Sequence, residues 1–186
     1  MNLALLLMDF QPAILSFLAE DDRAALLGRT EQVVAEVRAR GGAVAFVRAG
    51  FTEADWAAVP PANRSFAPIA RHRLMHEADP GTAVHARLAP QDGDIVVRKT
   101  RFGALSTTDL DRRLRERGVT TLVIAGVSTS GAVLSTVLDA ADRDYRLHVL
   151  ADGVADPDPE VHDVLLQRVF PAYAEVVETG ALPALL

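Results

Sequence analysis

The chain has 186 residues, 49% of them apolar and 24% charged, with a net charge of −6 at pH 7 and no cysteine. That composition is globular, and a chain of this length buries roughly 70% of its unfolded surface, enough for a core without staples. Disulfides, thiolate metal sites and a cysteine nucleophile are excluded, and an acidic balance argues against a nucleic-acid partner, which needs a basic face.

The first element is the apolar run Leu3–Met8. No basic residue precedes it, it is shorter than a signal-peptide core, and it ends in Asp9, so it reads as a buried strand and the expected location is the cytoplasm. No run approaches the ~20 apolar residues of a membrane span, so no membrane partner is expected. Further runs follow at Ala43–Val47, Asp94–Arg98, Thr121–Ala125, Arg146–Leu150 and Glu175–Val177. Most are apolar at consecutive positions, as in strands covered on both faces. Between them lie segments of helical period: Arg23–Arg40, Thr108–Arg117, Thr129–Arg143 and Pro159–Val169. Gly41-Gly42 and Gly118 stop the first two, and Asp158-Pro159-Glu160 starts the last. The stretch Phe51–Pro90 holds five prolines and no clear strand, and reads as an irregular crossover that closes over a pocket or meets another copy. The alternation predicts one α/β domain spanning 1–186: a doubly wound, mainly parallel, six-stranded sheet with helices on both faces.

In such sheets ligands bind beyond the carboxyl ends of the strands. Asp9 ends the first strand, Lys99 ends the third, and Gly126-Val127-Ser128-Thr129-Ser130-Gly131-Ala132 follows the fourth. Each alone is an ordinary loop feature: a turn-forming acid, a solvated lysine, a helix-capping loop. Together they bring an acid, a base and a small-residue loop to one rim. His72 and His76 are four apart and would share a helix face as metal ligands do, but no third ligand stands at fixed spacing and no metal is expected. Gly126–Gly131 lacks the Gly-Lys-Ser/Thr of a phosphate loop, and there is no Gly-x-Gly-x-x-Gly, so no nucleotide cofactor is expected either.

The segments Ala4-Leu5-Leu6-Leu7-Met8-Asp9-Phe10-Gln11, Gly93-Asp94-Ile95-Val96-Val97-Arg98-Lys99-Thr100-Arg101-Phe102-Gly103-Ala104-Leu105 and Leu122-Val123-Ile124-Ala125-Gly126-Val127-Ser128-Thr129 resemble the isochorismatase-like hydrolase superfamily. The resemblance covers nearly the whole chain. In the amidohydrolase branches it implies an Asp–Lys–Cys triad whose cysteine lies three residues beyond the Thr of Gly-Val-x-Thr; here that place is Ala132. Without a thiol there is no thioester chemistry. The isochorismatases proper also lack the cysteine and hydrolyse a vinyl ether by acid–base chemistry, for which Asp9 and Lys99 are the expected catalytic pair. Those enzymes place a Gln after strand two where this chain has Arg48-Ala49-Gly50.

The expected reaction is therefore hydrolysis of a small, carboxylated molecule without a covalent intermediate. Arg48 and Arg101 are candidates for the carboxylate, and Gln11, Ser128, Thr129 and Ala132 for the rest of the binding wall. The alternative is a non-catalytic binding protein that kept the pocket after losing the nucleophile. The resemblance further implies a cis peptide between Val127 and Ser128. It also implies a homo-oligomer, dimer or higher, with Phe51–Pro90 and Ala181–Leu186 as contacts.

Overall fold

The computed structural model describes residues 2–186. Six strands, β1 (Leu3–Met8), β2 (Ala43–Ala49), β3 (Ile95–Lys99), β4 (Thr121–Val127), β5 (Arg146–Ala155) and β6 (Glu175–Val177), form one sheet in the order β3-β2-β1-β4-β5-β6. Every neighbouring pair is parallel. The order reverses between β1 and β4, which opens a crevice beyond their carboxyl ends.

The continuous apolar runs follow from burial on both faces. Ala4, Leu6 and Met8 of β1 pack toward one side, against Leu110 and Leu114 of α5 (Leu110–Glu116) and Val137 and Ala140 of α6 (Leu134–Ala141). Leu3, Leu5 and Leu7 pack toward the other, against Leu15 of α1 (Pro12–Leu15) and Leu26, Val33, Val34 and Val37 of α2 (Glu20–Ala39). α2 starts three residues before the expected Arg23. Its first turn holds Glu20, Asp21 and Asp22, whose charges favour a helix N-terminus even though Ala19 offers no side-chain cap.

The expected helix at Thr129 opens as a wider π-helical turn, Thr129–Val133, before becoming α6. The helix expected at 159–169 is likewise divided into α7 (Pro159–Val164) and a π-helical turn over Leu165–Val169, and Asp158 caps it by accepting from the N–H groups of Glu160 and Val161. β5 runs five residues beyond the expected Leu150, through a register shift opposite Ile124 and Gly126 of β4.

The crossover holds two short helices, α3 (Glu53–Ala57) and α4 (Ala67–Arg71), around a small core of Phe51, Trp56, Val59 and Phe66. At the other end of the chain, Leu182 is buried in the α2-side core, and Arg40 donates to the Pro183 carbonyl. The tail residues expected at a copy–copy contact thus spend much of their apolar surface on their own chain. No helix among the described residues is long and apolar enough to cross a membrane.

Candidate active site

Asp9 is the first residue past β1 and takes a left-handed backbone, φ 55°. Its N–H donates to Val47 O at 2.8 Å, which carries the β1–β2 ladder one step further and then turns the chain. The carboxylate is buried, 5% exposed, and its Oδ2 meets Lys99 Nζ at 2.8 Å. Lys99 is 2% exposed at the end of β3, two strands away in the sheet. Its ammonium also donates to Phe102 O at 2.9 Å and Arg101 O at 3.2 Å, so all three N–H donors have acceptors. The other Asp9 oxygen, Oδ1, is buried and has no hydrogen-bond partner. Burial pushes the Asp9 carboxyl above its ordinary value, and the Lys99 charge and hydrogen bond, with a smaller contribution from the nearby Ala49 N–H, oppose that rise.

Asp9 lines a cavity of about 280 Å³ with Ile14, Phe17, Phe102, Val127, Ser128, Ser130, Ala132, Asp156 and Pro157. It lies at the crevice between β1 and β4. Larger clefts exist, one of about 440 Å³ at the amino ends of β2 and β3 and one of about 410 Å³ beside Trp56. Size does not select the site, because no acid lining either larger cleft has a buried carboxylate oxygen without a partner.

The sequence-expected residues divide around this cavity. Asp9, Ser128 and Ala132 line it, and Lys99 supports Asp9 from behind. The Val127–Ser128 peptide is cis. Thr129 is fully buried, and its hydroxyl lies 2.9 Å from His162 Nδ1 in α7 instead of facing the cavity. Gln11, expected at the substrate, is fully buried and spent on backbone: Nε2 donates to Ala49 O at 2.7 Å and Thr82 O at 2.6 Å, and Oε1 accepts from Ala49 N at 2.7 Å. It ties the end of β2 to the crossover.

Arg48 and Arg101 also stand off the wall. Arg48 donates to Glu77 O and Thr82 O, and Arg101 donates to Thr100 O and lies over the Phe66 ring. Nor does any residue of the crossover Phe51–Pro90 line the cavity; it buttresses the site from outside through Gln11 and Arg48. His72 follows the end of α4, while His76 sits in a bridge with Phe51 and against the Trp56 ring, so the pair shares no helix face.

Sequence reasoning missed Phe17, Asp156 and His162. Asp156 lies two residues before the expected helix start at Asp158 and carries no motif of its own; its Oδ2 accepts the Ser130 N–H at 2.8 Å and so braces the turn that carries Ala132.

A family model described as Isochorismatase domain matches residues 3–181. The chain is 32% identical over 173 residues to ureidoacrylate amidohydrolase RutB of Methylobacterium radiotolerans, covering 87% of this chain and 67% of that protein. It is 30% identical over 168 residues to the uncharacterized isochorismatase family protein YwoC of Bacillus subtilis, covering 90% and 85%. Among solved structures, an isochorismatase family protein from Desulfovibrio vulgaris superposes with a TM-score of 0.85 at 25% identity, covering 99% of this chain and 97% of that one.

Proposed function

The chain belongs to the isochorismatase family of hydrolases, and on that premise we propose that it hydrolyses a small molecule by acid–base chemistry at Asp9, without a covalent intermediate. The observation that carries this reading is the Asp9 carboxyl itself, on the wall of the cavity that Ala132 also lines: one oxygen is anchored to Lys99 and the other is buried and unpartnered.

A vinyl ether is the favoured substrate class. Protonated Asp9 gives its proton to the methylene carbon, the carbon–carbon double bond supplies the electron pair, and an oxocarbenium ion forms beside the new carboxylate. Water adds to that ion and returns a proton to Asp9. The resulting hemiacetal or hemiketal breaks its carbon–oxygen bond to release an alcohol and a carbonyl compound, with a net gain of one water. Burial favours the protonated acid the first step needs, and Lys99 stabilises the carboxylate it leaves. The expected substrate carboxylate is not retained in this reading, because Arg48 and Arg101 are engaged away from the wall.

Purified protein assayed against vinyl ethers, amides and esters tests the proposal. Vinyl-ether turnover that falls about 10²–10⁴-fold in Asp9→Asn is the expected result. Amide or ester turnover that survives Asp9→Asn would overturn it. Ligand binding with no turnover of any class would instead favour the binding-protein reading, which the missing nucleophile supports.

A further inference from the structure

The cavity wall carries one kind of charge. Its ionisable lining residues are Asp9 and Asp156, and no cationic side chain lines it. Lys99 balances Asp9 but has no N–H left for a ligand. Asp156 lies on the same wall, and on that of the adjoining cleft with Arg29 and His162, without a salt bridge. Its Oδ2 accepts from Ser130 N at 2.8 Å and its Oδ1 from Asp158 N at 3.1 Å. Ser130 belongs to the first turn of the helical segment that starts at Thr129, the position where a bound anion is ordinarily favoured, and Asp156 already fills it. The cation of the adjoining cleft, Arg29, donates to Asp152 O at 2.7 Å.

The rest of the wall is uncharged: the two serines Ser128 and Ser130, and the apolar Ile14, Phe17, Phe102, Val127, Ala132 and Pro157. Phe17 and Phe102 are 68% and 42% exposed, and although Phe102 packs one side against Phe66 at 4.8 Å between ring centroids, both rings leave apolar surface open to a ligand.

Resting on the reading of this cavity as the active site, we propose that its substrate is an uncharged molecule with an aromatic or otherwise apolar body, and that Asp156 excludes carboxylates. An anion entering here loses hydration, finds only the neutral Ser128 and Ser130 hydroxyls and no cation to replace it, and meets a fixed carboxylate. A neutral apolar body buries the two phenyl rings and leaves Asp9 Oδ1 facing the reacting bond.

The test separates binding from chemistry. 4-Ethoxybenzamide and 4-ethoxybenzoate are close in shape, differ by one charge and carry no vinyl ether to hydrolyse. Calorimetric titration of the full chain is expected to show the amide binding at least about tenfold tighter, the scale of one charge acting over a few ångströms near a protein surface. In Asp156→Asn, which keeps an acceptor oxygen for Ser130 N–H, that ratio is expected to shrink at least about threefold. Benzoate binding as tight as the amide, no binding of either at millimolar concentration, or a ratio unchanged in Asp156→Asn would each overturn the proposal. If Asp156→Asn does not fold, the ratio in the unaltered protein decides. The matching vinyl ethers are assayed separately: a preserved binding preference with no turnover sinks the proposed reaction and leaves this inference standing.

Discussion

At the scale of single residues, the site turns on how Asp9 and Lys99 share one buried proton balance. Burial raises the Asp9 carboxyl and Lys99 pulls it back. A general acid works in its protonated form, so vinyl-ether turnover should fall as pH rises through the Asp9 value in the substrate complex. Lys99→Met removes the opposing charge. The falling limb should then move to higher pH while the maximal rate drops, and a pH–rate profile of the two proteins checks both. A profile unmoved by Lys99→Met would mean that the two groups are uncoupled. The same change leaves the Arg101 and Phe102 carbonyls without their donor and the carboxyl without its partner, at a cost of about 3 kcal/mol in urea unfolding. The double variant Asp9→Asn/Lys99→Met should recover part of that loss, because no unpaired acid remains.

At the scale of elements, β1 and β4 approach so closely at their carboxyl ends that only glycine fits at position 126. Gly126 has φ 148°, and a Cβ there would lie 2.3 Å from Met8 O and 2.4 Å from Met8 Cβ. Gly126→Ala must push β4 away from the residue that precedes Asp9. It is expected to cost about 3 kcal/mol in denaturant unfolding and to abolish turnover together with ligand binding. A stable, active Gly126→Ala protein would show that the strand ends are free to separate. The strands themselves were legible because burial on both faces leaves continuous apolar runs such as Leu3–Met8. The extension of β5 to Ala155 was not: Asp152-Gly153 reads as a turn, and only pairing with β4 keeps it in the sheet. Asp9 and Lys99 were legible as strand ends. The employment of Gln11, Arg48 and Thr129 was not, since their partners Ala49, Thr82, Glu77 and His162 lie 29 to 71 residues away in the chain. Local pattern carries no trace of such distant backbone and side-chain partners.

At the scale of the whole molecule, the sheet's second buried ionisable position sets an acid limit on stability independent of the site. His148 of β5 is 2% exposed, its Nδ1 has no hydrogen-bond partner, and Glu175 of β6 stands 3.6 Å away. Burial pushes the imidazole below its ordinary value of 6.5, and the Glu175 charge only partly offsets this. Below pH 6.5 the unfolded chain therefore takes up a proton that the folded chain refuses. Stability is fully present above that value, and it declines as pH falls toward the lowered folded value, where the loss levels off. Glu175, held below its usual range first by its hydrogen bond to Arg146 and then by the His148 charge, adds a further loss only in more acidic solution. The His148 contribution to the urea midpoint should thus be flat from pH 8 to 7 and drop as the pH falls below about 6.5. In His148→Leu, which keeps the position apolar and cannot titrate, that drop should shrink while the Asp9-dependent pH–rate profile stays in place. An equal drop in both proteins would assign the acid sensitivity to another group and leave the β5–β6 edge without a part in it.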